Sequence, residues 1–234
     1  MASYPSKSVD DTLHVADVQQ KILALLKQHG EATTSDIAGH LEVSYEAVRQ
    51  QIRQLEAMRL VERHKRPNPS GVGRPLGHYS LSPSGDHLFP KNYDALAVGL
   101  IDAIGGELGK DALRRVLGRL ADAQVAQWES QLAGKNLRER LSALQNIYLE
   151  NDPFTEVSEE DGALQLVERN CPYLNVASRR PALCSLTVSV LSRLLGHRVT
   201  RVRRFQDGDG RCAFRVHEEQ PIESTEFHFE SETE

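Results

Sequence analysis

The chain has 234 residues, 39% apolar and 26% charged, with a formal net charge of −5. That length suits one large or two small domains, and that balance is ordinary for a soluble globular protein. No run approaches the roughly eighteen apolar residues of a membrane span, and residues 1–11 lack the apolar core of a secretory signal, so a cytoplasmic protein with no membrane partner is expected.

In chain order, Val15, Val18, Ile22, Leu25 and Leu26 recur at helical spacing and predict a helix over 15–28, with Gly30 as its stop. Thr33 precedes Asp36 by three residues, a capping-box pattern that opens a short helix through Ile37, Ala38 and Leu41. Glu42 and Val43 make a tight turn. Ser44 then caps a third helix reaching about Met58. Two helices joined by a short turn behind a supporting helix form a helix-turn-helix. In the third helix Val48, Ile52 and Leu55 share the inward face, and Tyr45, Arg49, Gln50 and Arg53 fall largely opposite. The start of that helix enters the major groove in this motif. Arginine can bridge guanine and glutamine adenine, so Arg49 and Gln50 are the candidate base readers. Ser44 stands beside them, and Tyr45 and Arg53 suit phosphate. The alternative is a solvated helix face.

Residues 60–64 read as a strand, the Gly-Val-Gly-Arg-Pro of 71–75 as a loop, and 78–81 as a return strand, together a β-hairpin wing. Lys65 and Arg66 suit phosphate, and Arg74 at the wing tip suits the negative minor groove. Residues 59–74 hold five bases and one acid, so the local field is positive although the net charge is not. The expected partner is a double-stranded DNA operator. The stretch 76–90 resembles the wing exit of many bacterial winged-helix repressors.

From Tyr93 to about Trp128 apolar residues recur at helical spacing (Leu113, Val116, Leu117, Leu120). Gly105, Gly106 and Gly109 divide the stretch into at least two helices. Leu137, Leu141, Leu144 and Tyr148 form another stripe. Such stripes serve as plain core or as a subunit interface. Helix-turn-helix proteins commonly engage paired half-sites, and this combination predicts a homodimer. Trp128 is expected as an interior anchor.

The last third holds the only three cysteines, Cys171, Cys184 and Cys212. Residues 163–167 predict a strand, 181–195 a helix with Cys184 in its first turn, and 198–205 and 211–216 two strands about an Asp-Gly-Asp-Gly turn. Each cysteine thus lies on a different element, and His197 lies just past the helix. Residues 169–215 carry ten arginines, no lysine and two acids. Acids gather at 150–161, and the tail 218–234 holds seven glutamates and no lysine or arginine, so disorder is expected there.

Three readings of the thiols compete. They are small buried hydrophobes, ligands of a zinc ion, or ligands of an iron–sulfur cluster. Structural zinc sites typically use a close pair two to four residues apart, which this chain lacks. A cluster is larger than one ion and can bridge separated elements. Arginine excess would offset its charge, and the dipole at the start of its helix would favour the Cys184 thiolate. No glycine-rich phosphate loop or His-Glu-x-x-His is present, so an enzyme is not expected, a Cys184–His197 catalytic pair being the alternative.

From the helix-turn-helix through Gly73-Arg74-Pro75 and Tyr79-Ser80-Leu81 to the spacing Cys171-x12-Cys184-x27-Cys212, the chain resembles the SufR-type repressors that control iron–sulfur assembly genes in bacteria. The resemblance implies a dimer that holds a [4Fe–4S] cluster and represses when loaded, with Cys171, Cys184 and Cys212 as ligands. His197 is the candidate fourth ligand; Asp207, Asp209, Glu168, water or a small thiol are alternatives. The expected fold class is α+β, mainly helical. A winged helix-turn-helix occupies 12–90, helical linker and dimerisation elements 91–150, an α+β cluster-binding domain 151–217, and an acidic tail 218–234.

Overall fold

The computed structural model describes residues 17–67, 76–150, 152–160, 162–222 and 224–230. The chain divides into two compact units, Met1–Asn92 and Tyr93–Glu234, each with its own apolar core.

The first unit is a winged helix-turn-helix. Helix α1 (Asp17–His29) buries Ile22, Leu23, Leu25 and Leu26, and ends at Gly30, whose φ of 80° is left-handed. Strand β1 (Glu31–Thr33) follows. Helix α2 (Thr34–Leu41) opens on the expected capping box between Thr33 and Asp36, and Glu42 at φ 54° closes it. Helix α3 (Tyr45–Ala57) starts at Ser44, whose hydroxyl accepts from the Ala47 N–H at 3.2 Å, and buries Val48, Ile52 and Leu55. Strands β2 (Val61–Arg66) and β3 (Leu76–Leu81) pair antiparallel, and β1 joins the far edge of β3, giving the order β1-β3-β2. The wing tip with Gly71, Gly73 and Arg74 lies outside the described residues, as does Val15. Helix α4 (Pro83–His87) was not expected. Ser82 caps it, accepting from Gly85 N–H and donating to the Arg59 carbonyl. Gly85 is required there, since a Cβ would stand 2.0 Å from the Leu60 carbonyl oxygen.

The second unit packs helices on a four-stranded antiparallel sheet. Helix α5 (Tyr93–Glu107) continues through Gly105 and Gly106, correcting the expected break at that pair; the break falls at Gly109, where φ is 83°. Helices α6 (Lys110–Leu132) and α7 (Leu137–Leu149) follow, the latter with an Asn136–Glu139 capping box. Strands β4 (Glu156–Glu160) and β5 (Ala163–Glu168) form a hairpin, then helices α8 (Leu174–Ala177) and α9 (Cys184–Leu195) precede β6 (His197–Arg203) and β7 (Cys212–Pro221). The sheet order is β4-β5-β7-β6. Leu113, Leu117 and Ala121 of α6, Leu141 and Leu144 of α7, and Leu191 of α9 share one core with Leu166 and Phe214 of the sheet. The expected boundary near 150 therefore does not separate two bodies. The sheet's apolar face packs against these helices in a single core, so helices and sheet belong to one unit.

The expected disordered tail is a second correction. Residues 218–221 belong to β7, and Phe227 and Phe229 are buried in the core of this unit. Two aromatics within a charged stretch are enough to pin it, because each buries a large apolar area. Among the described residues no helix is long and apolar enough to cross a membrane.

Candidate nucleic-acid interface and thiol site

Ser44, Tyr45, Arg49, Gln50 and Arg53 are all exposed on α3, on the side away from Val48 and Ile52. Capping occupies the Ser44 hydroxyl. Arg49 lies 3.2 Å from Glu46 one turn earlier, a contact between solvated groups that a stronger anion can displace. Lys65 and Arg66 are exposed on β2, and Arg66 reaches Glu31 of β1 at 2.7 Å. Arg74 lies outside the described residues. Helix α3 thus presents an exposed polar face to solvent while its inward face is locked by packing, so these side chains stand on a rigid element.

The thiols come from three elements of the second unit. Cys171 sits in the loop after β5, Cys184 is the first residue of α9, and Cys212 is the first residue of β7. Cys184 and Cys212 are buried and Cys171 is half-buried. A thiolate at Cys184 or at Cys212 would raise the pKa of Cys171, and one at Cys212 would raise that of Cys184, so the three occupy one neighbourhood. Yet among the described residues no three or more His, Cys, Asp or Glu side chains close round a single metal ion.

The loop that carries Cys171 is held from below. The Asp152 carboxylate accepts from the backbone N–H of Phe154 at 3.0 Å, Arg169 at 2.6 Å and Asn170 at 2.9 Å. Burial acts to raise its pKa, but these donors outweigh burial and hold it below the usual carboxylate range. A cavity of about 300 Å³ opens beside this loop, lined among others by Trp128, Tyr148, Glu168, Asn170 and Tyr173.

Burial pushes the Cys171 thiol up to about 12, with Glu168 adding to the shift. The Cys184 thiol is raised too, by burial above all, against the charge of Arg201 and an amide donated by Gln206 at 3.4 Å. The expectation is a thiolate favoured at the helix start; burial acts in the opposite direction and raises the thiol. Arg201 is the arginine whose charge reaches the thiols. Its guanidinium is almost fully buried over the Phe214 ring, and donates to the Cys184 carbonyl at 2.8 Å and to Glu230 at 3.0 Å. Four other arginines of this segment face carboxylates elsewhere, Arg169 at Glu156, Arg180 at Asp102, Arg193 at Asp122 and Arg203 at Glu160, while Arg204 lies 3.5 Å from Glu230 itself.

His197 is not with the thiols. It opens β6 opposite Pro221, and its Nδ1 lies 3.0 Å from the Leu195 carbonyl. Cys212 lies at the other end of the β6–β7 ladder, next to the Ala213–Arg203 pair. Six residues of strand separate the two ends, roughly 20 Å at about 3.3 Å per residue. His197 is thereby excluded as a fourth ligand, and as a catalytic partner of Cys184 it has no support. Asp207 and Asp209 are exposed in the turn, and Asp209 accepts from the Arg204 N–H.

Glu168 was only one of several alternatives from sequence. It ends β5 directly across from Cys212, is 5% exposed, and its pKa is raised to about 7 by burial, with Arg201 opposing and Asp152 assisting. Its signal in the sequence is the alternation Leu164, Leu166, Glu168, which sets a carboxylate on the apolar side of a strand.

Comparison with known proteins bears on the first unit. Residues 16–68 match the MarR family. Among solved structures the chain is similar to the YusO protein of Bacillus subtilis (28% identity, 47% of this chain and 76% of that one, TM-score 0.30). It is also similar to the adhesin competence repressor AdcR of Streptococcus pyogenes (17%, 53% and 87%, 0.29) and to PadR of Bacillus subtilis in complex with operator DNA (16%, 77% and 97%, 0.29). No curated protein matches the chain.

Proposed function

With a MarR-type winged helix at its N-terminus as the premise, we propose that this protein is a cytoplasmic, homodimeric DNA-binding repressor of the SufR type that senses iron–sulfur status through a [4Fe–4S] cluster held by Cys171, Cys184 and Cys212. The observation that carries the sensing part is the convergence of three thiols from a loop, a helix start and a strand start, beside a buried arginine. The donor set suits the group: thiolates are the soft ligands of iron–sulfur centres. When bound, the cluster supplies an iron- and oxidant-dependent tie between the three cysteines.

The rest belongs to the chain. Arg201 holds positive charge beside Cys184 and Cys212, and Asp152 holds the Cys171 loop in place. Cys184 begins α9, which packs on α6, and α6 packs on α5. Helix α5 buries none of its residues, and exposes Tyr93, Leu96 and Leu100, with Val116 and Leu120 exposed on α6. A second copy of this chain is the proposed cover for these residues, since paired half-sites need a twofold partner. Release of the thiols loosens the start of α9, and through α6 and α5 the spacing of two reading heads. A change of a few kcal/mol suffices to empty an operator, since about 1.4 kcal/mol is tenfold in affinity.

Protein purified without oxygen is expected to be brown, to contain iron and sulfide, and to retard its promoter fragment. Arg49→Ala should weaken that binding by about 1–3 kcal/mol and relax base preference at one position. A colourless, zinc-loaded protein that binds the fragment equally well overturns the sensing reading. Unchanged specificity in Arg49→Ala overturns its assignment as a base reader.

A further inference from the structure

We infer that the cavity between helices α6, α7 and α9 and the loop after β5 is a binding site for a small organic ammonium ion, held by aromatic rings and by the charge of Glu168. The site lies wholly within the second unit, and it does not depend on the cluster reading.

The lining carries it. Three aromatic side chains from three elements, Trp128 of α6, Tyr148 of α7 and Tyr173 of the loop, bound a space of about 300 Å³. The Trp128 and Tyr148 ring centroids are 5.9 Å apart and their planes are tilted by 58°, so the two rings make a corner rather than a flat stack. Both also pack against the core of the unit, which holds them in place. Tyr173, 40% exposed, is the lining ring most open to solvent. The electron-rich faces of such rings attract cations, tryptophan most of all.

The charges agree. Two buried acids, Asp152 and Glu168, line the cavity, and among the described residues its lining has no lysine, arginine or histidine. Three backbone donors hold Asp152 ionised. Arg201, the base whose charge reaches Glu168, does not line the cavity; its guanidinium donates to Glu230 and to the Cys184 carbonyl. Arg169, next to Glu168 in the chain, turns to Glu156. The cavity therefore presents negative charge with no cationic side chain inside it. Burying a carboxylate is costly unless it is paired, and a cation entering from solvent supplies the pair. An anion would meet two carboxylates, and a neutral ligand would bring no charge to meet them.

The aromatic share of the lining selects among cations. Among the described residues no three His, Cys, Asp or Glu side chains gather for a metal ion, whereas an alkylated ammonium gives up little hydration to sit against rings. Gln124, one helical turn before Trp128, and Thr187 of α9 line the same space and can hydrogen-bond a hydroxyl or carbonyl elsewhere on the ligand. A ligand seated there touches three helices and the loop that carries Cys171 at once.

The test is calorimetric titration of the full-length protein, with the fluorescence of Trp128, the only tryptophan of the chain, as a second readout. Choline and benzyltrimethylammonium are compared with dimethylbutanol, the uncharged carbon isostere of choline. Both cations should bind saturably, and the isostere at least about tenfold more weakly than choline, the scale of a cation over desolvated rings. Glu168→Gln should weaken the cations roughly tenfold and leave the isostere unchanged, a loss of charge selectivity that a merely structural role would not produce. Tyr173→Ala, at the most exposed ring, should weaken the cations by about threefold and serves if the Gln variant does not fold. Thermal midpoints of the variants check folding. Absence of saturable cation binding, or isostere binding equal to that of choline, overturns the assignment. Wild-type cation affinity in both variants overturns it as well.

Discussion

Glu168 shows what burial does to a single residue. In the unfolded chain it titrates near 4.5, and in the cluster-free fold burial moves it to about 7, against the opposing charge of Arg201. The folded form keeps a proton that the unfolded chain has already lost, so stability present below pH 4.5 is lost as pH rises toward 7. The difference is about 3 kcal/mol at about 1.4 kcal/mol per unit. Denaturant titrations of cluster-free protein from pH 4.5 to 7 should show that decline, and Glu168→Gln should flatten it. An equally steep decline in the variant would assign it to other groups. At the same scale the three cysteines were legible from their number and separation, whereas Glu168 was one acid among several. Only its register against Cys212 set it apart.

At the scale of elements, the helices with clear period and caps were legible: α1 to α3, α7 and α9 lie within a few residues of their expected limits. Local chemistry decides such elements, as in the two capping boxes. The missed elements are short or depend on neighbours. Strand β1 has three residues and exists because β3 offers an edge; α4 has five and depends on Ser82 and Gly85 against the Leu60 loop. The segment 224–230 is the clearest case. Phe227 and Phe229 enter the core, Lys110 and Arg114 lie over the Phe229 ring, and Glu230 joins Arg201 at 3.0 Å and Ser185 by its N–H at 2.9 Å. The segment 224–230 is thus a strap that reaches the arginine beside the thiols. Phe227→Ala should lower unfolding stability by about 3 kcal/mol, the scale of a truncated buried phenylalanine. A loss below about 0.5 kcal/mol, normal for a surface site, would show the strap to be decorative.

For the whole molecule, the open question is what covers α5. Tyr93, Leu96 and Leu100 are 65%, 63% and 55% exposed, a density of large apolar groups that a lone helix face seldom leaves to water. If the proposed dimer forms through this face, Leu100→Glu should leave the fold intact, because α5 buries no residue, yet give a monomer by sedimentation and weaken binding to a two-half-site operator far more than to a single half-site. A Leu100→Glu protein that stays dimeric would place the subunit contact elsewhere. The sequence by itself determined a helix-turn-helix with a positive wing and three remote thiols, because caps, periodicity and charge act over a few residues. Only the tertiary structure decided that the thiols share a neighbourhood, that His197 stands at the far end of a strand from them, that Glu168 faces Cys212, and that the acidic tail is bound. Each depends on which strands pair and in what register, and a register is settled by burial across the whole sheet.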